Sequence, residues 1–293
     1  MLPVYLSLNE YLTQRFGEKL YKLSLDTGFT CPNRDGTAGT GGCIFCSEGG
    51  SGEFAEKTPD INESIEKAKN QVNGKFRGSR YIAYFQSYSA TYAPLEKLEE
   101  MFFTAAARDD IAAVSIATRP DCLGDEVLGL LNRLNSVKPV FVELGLQTVH
   151  EETAKLINRC YPLSDYDRAV KKLKEIGINT VVHIILGLPG ESREMMLDTV
   201  RYVVRSGADG IKLHLMYVLK NTVLEKMYLA GEFSTLTLEE YADILCECIK
   251  IIPNNTVIHR LTGDPPKKLL VAPEWSADKK KVLNYINRRI SEI

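Results

Sequence analysis

No apolar run in the chain approaches the ~20 residues that a membrane-spanning helix needs, so a membrane span is not expected. The stretch from Met1 to Glu10 lacks the charged start, long apolar core and small-residue cleavage site of a secretory leader, which sets a cytoplasmic expectation. Excess charge is missing too. Lys and Arg number 36 against 38 Asp and Glu, a formal net charge of −2, so nothing global draws the chain to a polyanion. A local imbalance exists in residues 256–293, where Arg260, Lys267, Lys268, Lys279, Lys280, Lys281, Arg288 and Arg289 face Asp264, Glu274, Asp278 and Glu292. Such a run reads either as the solvated face of a terminal helix or as a contact for RNA or another phosphate. Low-complexity linkers are also lacking, and one large domain accommodates all 293 residues.

What is present is an ordinary globular composition, 44% hydrophobic and 25% charged, with short apolar runs alternating with helical periodicity. Strands are expected over residues 22–26, 80–86, 113–118, 139–145, 180–186 and 210–218. Helices are expected over 60–72, 94–107, 125–134, 164–176 and 191–206, with a further one over 238–252. Asp60, Asp125 and Ser164 stand where N-caps belong, and Gly177 where a helix stops. Strands apolar at nearly every position, such as Tyr81 to Phe85, are those of a parallel sheet buried on both faces. The expected fold is therefore α/β: a partial (β/α)6 TIM-type barrel over residues 1–235, with a helical C-terminal extension over 236–293. An open doubly wound sheet is the alternative. Functional residues in such folds gather at the C-terminal ends of the strands.

Seven cysteines in a reducing compartment are better read as metal ligands or catalytic groups than as disulfides. Three of them lie in Cys31-Pro-Asn-Arg-Asp-Gly-Thr-Ala-Gly-Thr-Gly-Gly-Cys43-Ile-Phe-Cys46, directly after the first strand. Glycines 36, 39, 41 and 42 permit the backbone angles needed to wrap a compact metal centre. A structural zinc site wants four closed ligands, and neither a histidine nor a fourth cysteine lies near the loop. The spacing leaves three readings: a three-thiolate iron–sulfur site with an open position, zinc with a remote fourth ligand, or unligated thiols. Cys246 and Cys248 point apart on one helix, so no second cluster is expected.

The loop is similar to the cluster loop of radical S-adenosylmethionine (SAM) enzymes, whose C-x-φ-C ending carries an aromatic φ, here Phe45. The eleven residues between Cys31 and Cys43 depart from the superfamily's shorter gap. They resemble the subgroup related to the Elongator catalytic subunit, and within it the YhcC-like proteins, whose pattern extends to the ending His259-Arg-Leu-Thr-Gly-Asp-Pro-Pro266. The resemblance implies that Cys31, Cys43 and Cys46 hold a [4Fe–4S] cluster with one iron open to SAM, and that Phe45 lies near the adenine.

The other strand ends take roles by the same resemblance. Gln86, Ser87, Ser89 and Thr91 occupy the place where the superfamily binds the methionine amino group, although the usual Gly-Gly-Glu sequence is missing. Thr118-Arg-Pro-Asp121 offers the Arg119 fork to a carboxylate or phosphate, unless Arg119 and Asp121 merely pair with each other. Glu143 and Gln147 reach toward SAM in the related proteins; the other reading of Glu143 is a paired core acid. The stretch from His183 to Glu191, with Gly187 and Leu188, resembles the segment flanking adenine. His183 is a candidate acid or base or a hydrogen-bonded core histidine. Lys212 and His214 alternate on one face of the sixth strand, as substrate-pocket candidates. Tyr81, Tyr84, Tyr88 and Tyr92 read as packing, with one free to relay a hydrogen atom.

The implied activity is reductive cleavage of SAM to methionine and a 5′-deoxyadenosyl radical, driven by an electron donor such as flavodoxin or ferredoxin. The Elongator likeness favours tRNA as substrate, against a small metabolite or peptide. An iron–sulfur electron carrier without SAM chemistry and a zinc-stabilised binding module are the readings from other classes.

Overall fold

The computed structural model describes residues 4–50, 55, 60–72, 74, 76 and 78–293; the first three residues of the stretch read for a leader lie outside these. Helix α1 (Leu8–Phe16) begins at a capping box, in which Glu10 N–H donates to Ser7 Oγ (3.3 Å) and Ser7 N–H to Glu10 Oε2 (3.1 Å). It ends at Gly17, whose φ of 78° only glycine adopts without strain. Five βα units and a sixth strand follow: β1 (Tyr21–Leu25), α2 (Ile61–Val72), β2 (Tyr81–Phe85), α3 (Leu95–Ala106), β3 (Ile111–Thr118), α4 (Asp125–Val137), β4 (Val140–Gln147), α5 (Glu151–Leu156), α6 (Leu163–Glu175), β5 (Asn179–Leu186), α7 (Arg193–Ser206) and β6 (Gly210–Leu215). The C-terminal part holds β7 (Val218–Leu219), α8 (Val223–Leu229), α9 (Leu238–Ile251), β8 (Val257–Arg260), β9 (Leu270–Ala272) and α10 (Lys279–Ile290).

The expected partial barrel is present, with one more wall than the sequence suggests. Seven strands pair in the order β1-β2-β3-β4-β5-β6-β8, every pair parallel. The seventh, β8, comes from the segment expected to be helical, and Ser7 bridges to its Ile258 at the open edge. The run expected over 210–218 divides: β6 stops at Leu215, and β7 pairs antiparallel with β9 in a separate ribbon. Two expected caps also move. Asp60 does cap α2, accepting from Asn62 N–H at 2.9 Å. Gly124 and Pro162 precede α4 and α6 instead, leaving Asp125 and Ser164 inside the first turns. Asp125 still suits that place, because the N-terminal end of a helix dipole favours a carboxylate.

The sheet curls. Strands lie about 4.8 Å apart, so β1 and β4 in a flat sheet would be about 14 Å apart. Yet Lys22 on β1 and Lys212 on β6 both bond Glu143 on β4. Alternate residues therefore split into two environments. Leu23, Phe85, Ile116, Leu144, Ile184 and Leu213 face outward into the main core beneath the helices. Ile82, Ala113, Phe141 and Val181 face inward at the bottom of the lumen, where Leu12 and Leu20 meet them, with Leu8, Tyr11 and Phe16 alongside. Helix α1 is thus an apolar plug under the barrel.

Replacing Leu12 with alanine should cost about 3 kcal/mol of unfolding free energy, the usual scale for a buried leucine. Leu229→Ala, at a residue 72% exposed, should leave the midpoint unmoved. Urea denaturation followed by circular dichroism checks both; equal midpoints would show that α1 does not seal the lumen.

Candidate active site

Above the plug the lumen turns polar. Glu143 projects inward from the middle of β4 with a side chain 0% exposed. Its Oε1 accepts from Lys22 Nζ and from Ser115 Oγ (2.6 Å), and its Oε2 from Lys212 Nζ and His183 Nε2 (2.7 Å). Four donors fill the acceptor sites of one carboxylate. Burial alone would raise the Glu143 pKa, but the Lys212 and Lys22 charges and the His183 bond outweigh it and hold the group well below the usual carboxylate range. Lys212 is pushed down to about 7 by burial, against the pull of Glu143. His183 is pushed down to about 4, again chiefly by burial, with the Lys212 charge adding to it. Lys212 also donates to Tyr84 OH (3.1 Å), and the Lys22 and Lys212 ammonium groups lie 4.7 and 4.6 Å from the centre of that ring. His183 and His214 stack with centroids 5.1 Å apart.

The cysteine loop closes the top. It is held by the turn after α5, where Asn158 Nδ2 donates to Gly42 O (2.8 Å) and Thr40 O (3.1 Å), and Asn33 Nδ2 donates to Asn158 O (2.5 Å). A Cβ on Gly39 would come within 2.7 Å of Cys160 Sγ, so glycine is needed where these segments cross. Arg119 forms a two-point pair with Asp121 (2.9 and 2.7 Å) and donates to Arg159 O (2.9 Å). Arg159, 1% exposed, donates to the Thr148 (2.6 Å) and Tyr161 (3.0 Å) carbonyls, and the Arg119 and Arg159 guanidinium groups lie 4.9 and 4.5 Å from the centre of the Tyr161 ring. Burial pushes the Cys43 thiol up to about 12, with the Cys46 and Cys31 sulfurs adding to it and Arg119 opposing.

This cradle fits a [4Fe–4S] cluster. Cys31, Cys43 and Cys46 line one cavity and feel each other's charge. Ser89 Oγ lies 3.6 Å from Cys31 Sγ and Asn33 Nδ2 lies 3.7 Å from Cys43 Sγ, so two sulfurs have donors beside them. The Arg34 and Arg119 guanidinium groups sit close enough to offset thiolate charge. Among the described residues, no three His, Cys, Asp or Glu side chains converge on a single metal ion. A cluster asks for a wider spacing, because each thiolate binds its own iron.

The cavity, about 860 Å³, joins loop and lumen. Phe45, Gln86, Ser89, Arg119, Glu143, Gln147, His183, Lys212 and His214 all line it with the three cysteines. Ser87, Gly187 and Leu188 do not. Ser87 is wholly buried, Leu188 packs with Ile44 and Met216, and Gly187 N–H donates to Met196 Sδ (3.1 Å). Glu143 sits in mid-barrel with every acceptor site used, and Arg119 is engaged by Asp121 and by backbone carbonyls. Sequence reasoning gave no site role to Lys22, Ser115, Arg159, His259 or Arg260, although the last two open the ending motif. Lys22, Ser115 and Arg260 carried a usable signal, since each is a polar residue on an otherwise apolar strand. Arg159 carried none.

The buried histidines make a pH signature. His183, His214 and His259 are all held neutral by burial, while the unfolded chain takes up protons below the ordinary 6.5. The unfolded state therefore binds more protons between pH 6.5 and 4, and stability falls as pH drops through that window. His183→Gln can keep a donor to Glu143 but cannot titrate. Its stability profile from pH 6.5 to 4, measured by urea denaturation of the metal-free chain, should be flatter than that of the wild type.

Comparison with known proteins carries these residues to a family. The radical SAM superfamily profile matches residues 31–203, and that of the radical SAM C-terminal domain residues 208–292. The chain is 46% identical to the uncharacterized protein YtqA of Bacillus subtilis over 98% of its own length and 89% of the relative. It is 37% identical to YhcC of Escherichia coli, over 96% and 90%. A tRNA uridine(34) acetyltransferase of Methanocaldococcus infernus is 28% identical over 60% of this chain and 33% of that protein. In fold, the solved Elp3 of the same archaeon aligns with a TM-score of 0.69 at 18% identity, covering 92% of this chain and 63% of that one. The chain therefore belongs to the radical SAM superfamily of enzymes, whose cofactors are a [4Fe–4S] cluster and S-adenosylmethionine.

Proposed function

We propose that the protein reductively cleaves SAM above a substrate held in the barrel lumen. The observation that carries this reading is the single cavity shared by the three loop thiols and the Glu143 network. When bound, the cluster and SAM supply methionine and a 5′-deoxyadenosyl radical able to take a hydrogen atom from substrate. The chain's own residues supply the setting. Cys31, Cys43 and Cys46 hold three irons and leave the fourth for SAM. Phe45, Gln86, Ser89 and Gln147 line the upper cavity as SAM contacts, with Ser87, Gly187 and Leu188 supporting them from behind. Lys212, poised near neutrality, and His183 and His214 hold or move protons beside the substrate. The α1 plug keeps bulk water from the lumen floor. A small protein reductant such as a flavodoxin or ferredoxin delivers the electron.

For the substrate, tRNA is supported by the likeness to the archaeal tRNA uridine(34) acetyltransferase. Exposed Lys267, Lys268 and Lys280 beside the cavity mouth agree with it. A small metabolite is the second reading, favoured by the cation-rich lumen.

Two measurements test these readings. After anaerobic reconstitution with iron and sulfide, the wild type given dithionite and SAM should release 5′-deoxyadenosine, and Cys43→Ala should fall to background. A fully loaded wild type that neither binds nor cleaves SAM sinks the reading. In gel retardation, tRNA binding should weaken steeply as salt rises, since phosphate contacts release counterions. Absence of binding at low salt removes tRNA.

A further inference from the structure

The lumen charges do not balance. Lys22, Lys212 and Arg260 line the lumen, where Glu143 is the lone acid; the other acid of the cavity lining, Asp264, pairs with Lys279 at the rim (2.7 Å). Both lysines spend themselves on Glu143. The side chain of Arg260, at the end of β8 and in register with Lys212, makes no ion pair or hydrogen bond among the described residues. Its charge bears on Tyr84, Lys212 and His214. Whichever protonation state Lys212 takes, at least one positive charge in the lumen lacks a carboxylate.

Two ring nitrogens beside it are also unmatched. His214 Nε2 and His259 Nδ1 are shielded from solvent and have no partner among the described residues. A buried nitrogen left without a hydrogen bond costs free energy, and the fold goes out of its way to keep the His259 ring in place. A Cβ on Gly210 would lie 2.7 Å from His259 Nε2, and Phe141 meets the same ring edge-on at 6.2 Å. An exposed guanidinium with no carboxylate partner and two buried ring nitrogens without hydrogen bonds border one cavity, the complement of an anion.

We propose that Arg260, Lys212, His214 and His259 form an anion-binding site at the β6–β8 side of the lumen, which takes a carboxylate or phosphate group of the substrate. The anion completes the charge balance, and the rest of the substrate extends from it toward the cysteine loop. Arg260 supplies a planar fork suited to either anion, and the histidines supply neutral N–H donors. The inference rests on the lumen being the substrate chamber of the reading above, and it narrows that substrate to an anionic molecule.

The test uses the cluster-loaded protein under anaerobic conditions, at constant ionic strength and without reductant. Isothermal titration calorimetry with inorganic phosphate, and separately with acetate, should show saturable binding of at least one. Phosphate alone assigns a phosphoryl group, acetate alone a carboxylate, and both assign a site open to either. In Arg260→Gln the affinity should fall about tenfold or more, as loss of one charge-assisted hydrogen bond implies, while Arg260→Lys keeps most of it. Arg260 is exposed and its side chain has no partner among the described residues, so both variants should fold; His214→Phe is a second probe from the other side of the site. Failure of both anions to bind the wild type overturns the proposal, as does equal affinity in wild type and Arg260→Gln. Displacement of the anion by SAM would also overturn it, by showing the site to be that of the SAM carboxylate. Because binding is read without turnover, a protein that cleaves SAM yet binds neither anion loses this inference alone. One that binds an anion but cannot cleave SAM loses the broader reading alone.

Discussion

A carboxylate inside a barrel stays ionised only if its surroundings replace the water it has lost. Glu143 does so with four donors drawn from four different strands: Lys22, Ser115, His183 and Lys212. Because those strands cannot reach one point in a flat sheet, the carboxylate and the curl imply each other. The bonds fix the radius of the half-barrel at its middle layer, divide the apolar floor from the chemical chamber, and oppose the burial that lowers the pKa of Lys212 and His183. Buried ion pairs are poor sources of net stability. Here the network serves position, holding a lysine and a histidine in fixed places under the cysteine loop.

The loop itself depends on a second set of contacts, made by backbone rather than charge. The turn at residues 157–160 bonds the glycine-rich segment through Asn158, while Arg119 and Arg159 tie that turn to the ends of β3 and β4. The guanidinium groups stack on Tyr161 and spend most of their donors on carbonyl oxygens. Such arginines act as rivets. They keep three thiols, spread along sixteen residues of loop, facing one cavity before any iron arrives.

Much of this was legible in the residues. The first six strands and their helices follow from periodicity, because parallel strands covered on both sides are apolar almost throughout. The cysteine triplet stands out through its spacing and its glycines. The seventh strand was hidden because Val257–Arg260 is only four residues long and ends in two polar ones. The plug was hidden for a different reason: α1 is amphipathic in the ordinary way, and nothing local says that its apolar face meets a barrel floor. Roles depending on long-range pairing were the hardest to see. Glu143 could be read as a cofactor contact or a paired acid, and its partners come from positions 22, 115, 183 and 212, which no local pattern links. For Arg119 the pair with Asp121 could be read locally, but the carbonyls at 159 and 160 that complete its engagement could not.

The wall formed by β8 has a bearing on how the molecule comes into being. Val257–Arg260 pairs with β6, and Ile258 N–H donates to Leu6 O at 2.9 Å, so segments near the two ends of the sequence meet there. Contacts of such sequence separation form late and slow a fold. A nascent chain that has not yet delivered residue 257 to solution leaves β6 as a bare edge, with its ladder groups open to pairing with a neighbour. The lumen is then a trough exposed along one side, and radical chemistry in a trough would be open to water and to any passing hydrogen donor. The lumen therefore gains its last wall only when β8, the final strand of the seven-stranded sheet in chain order, has been made.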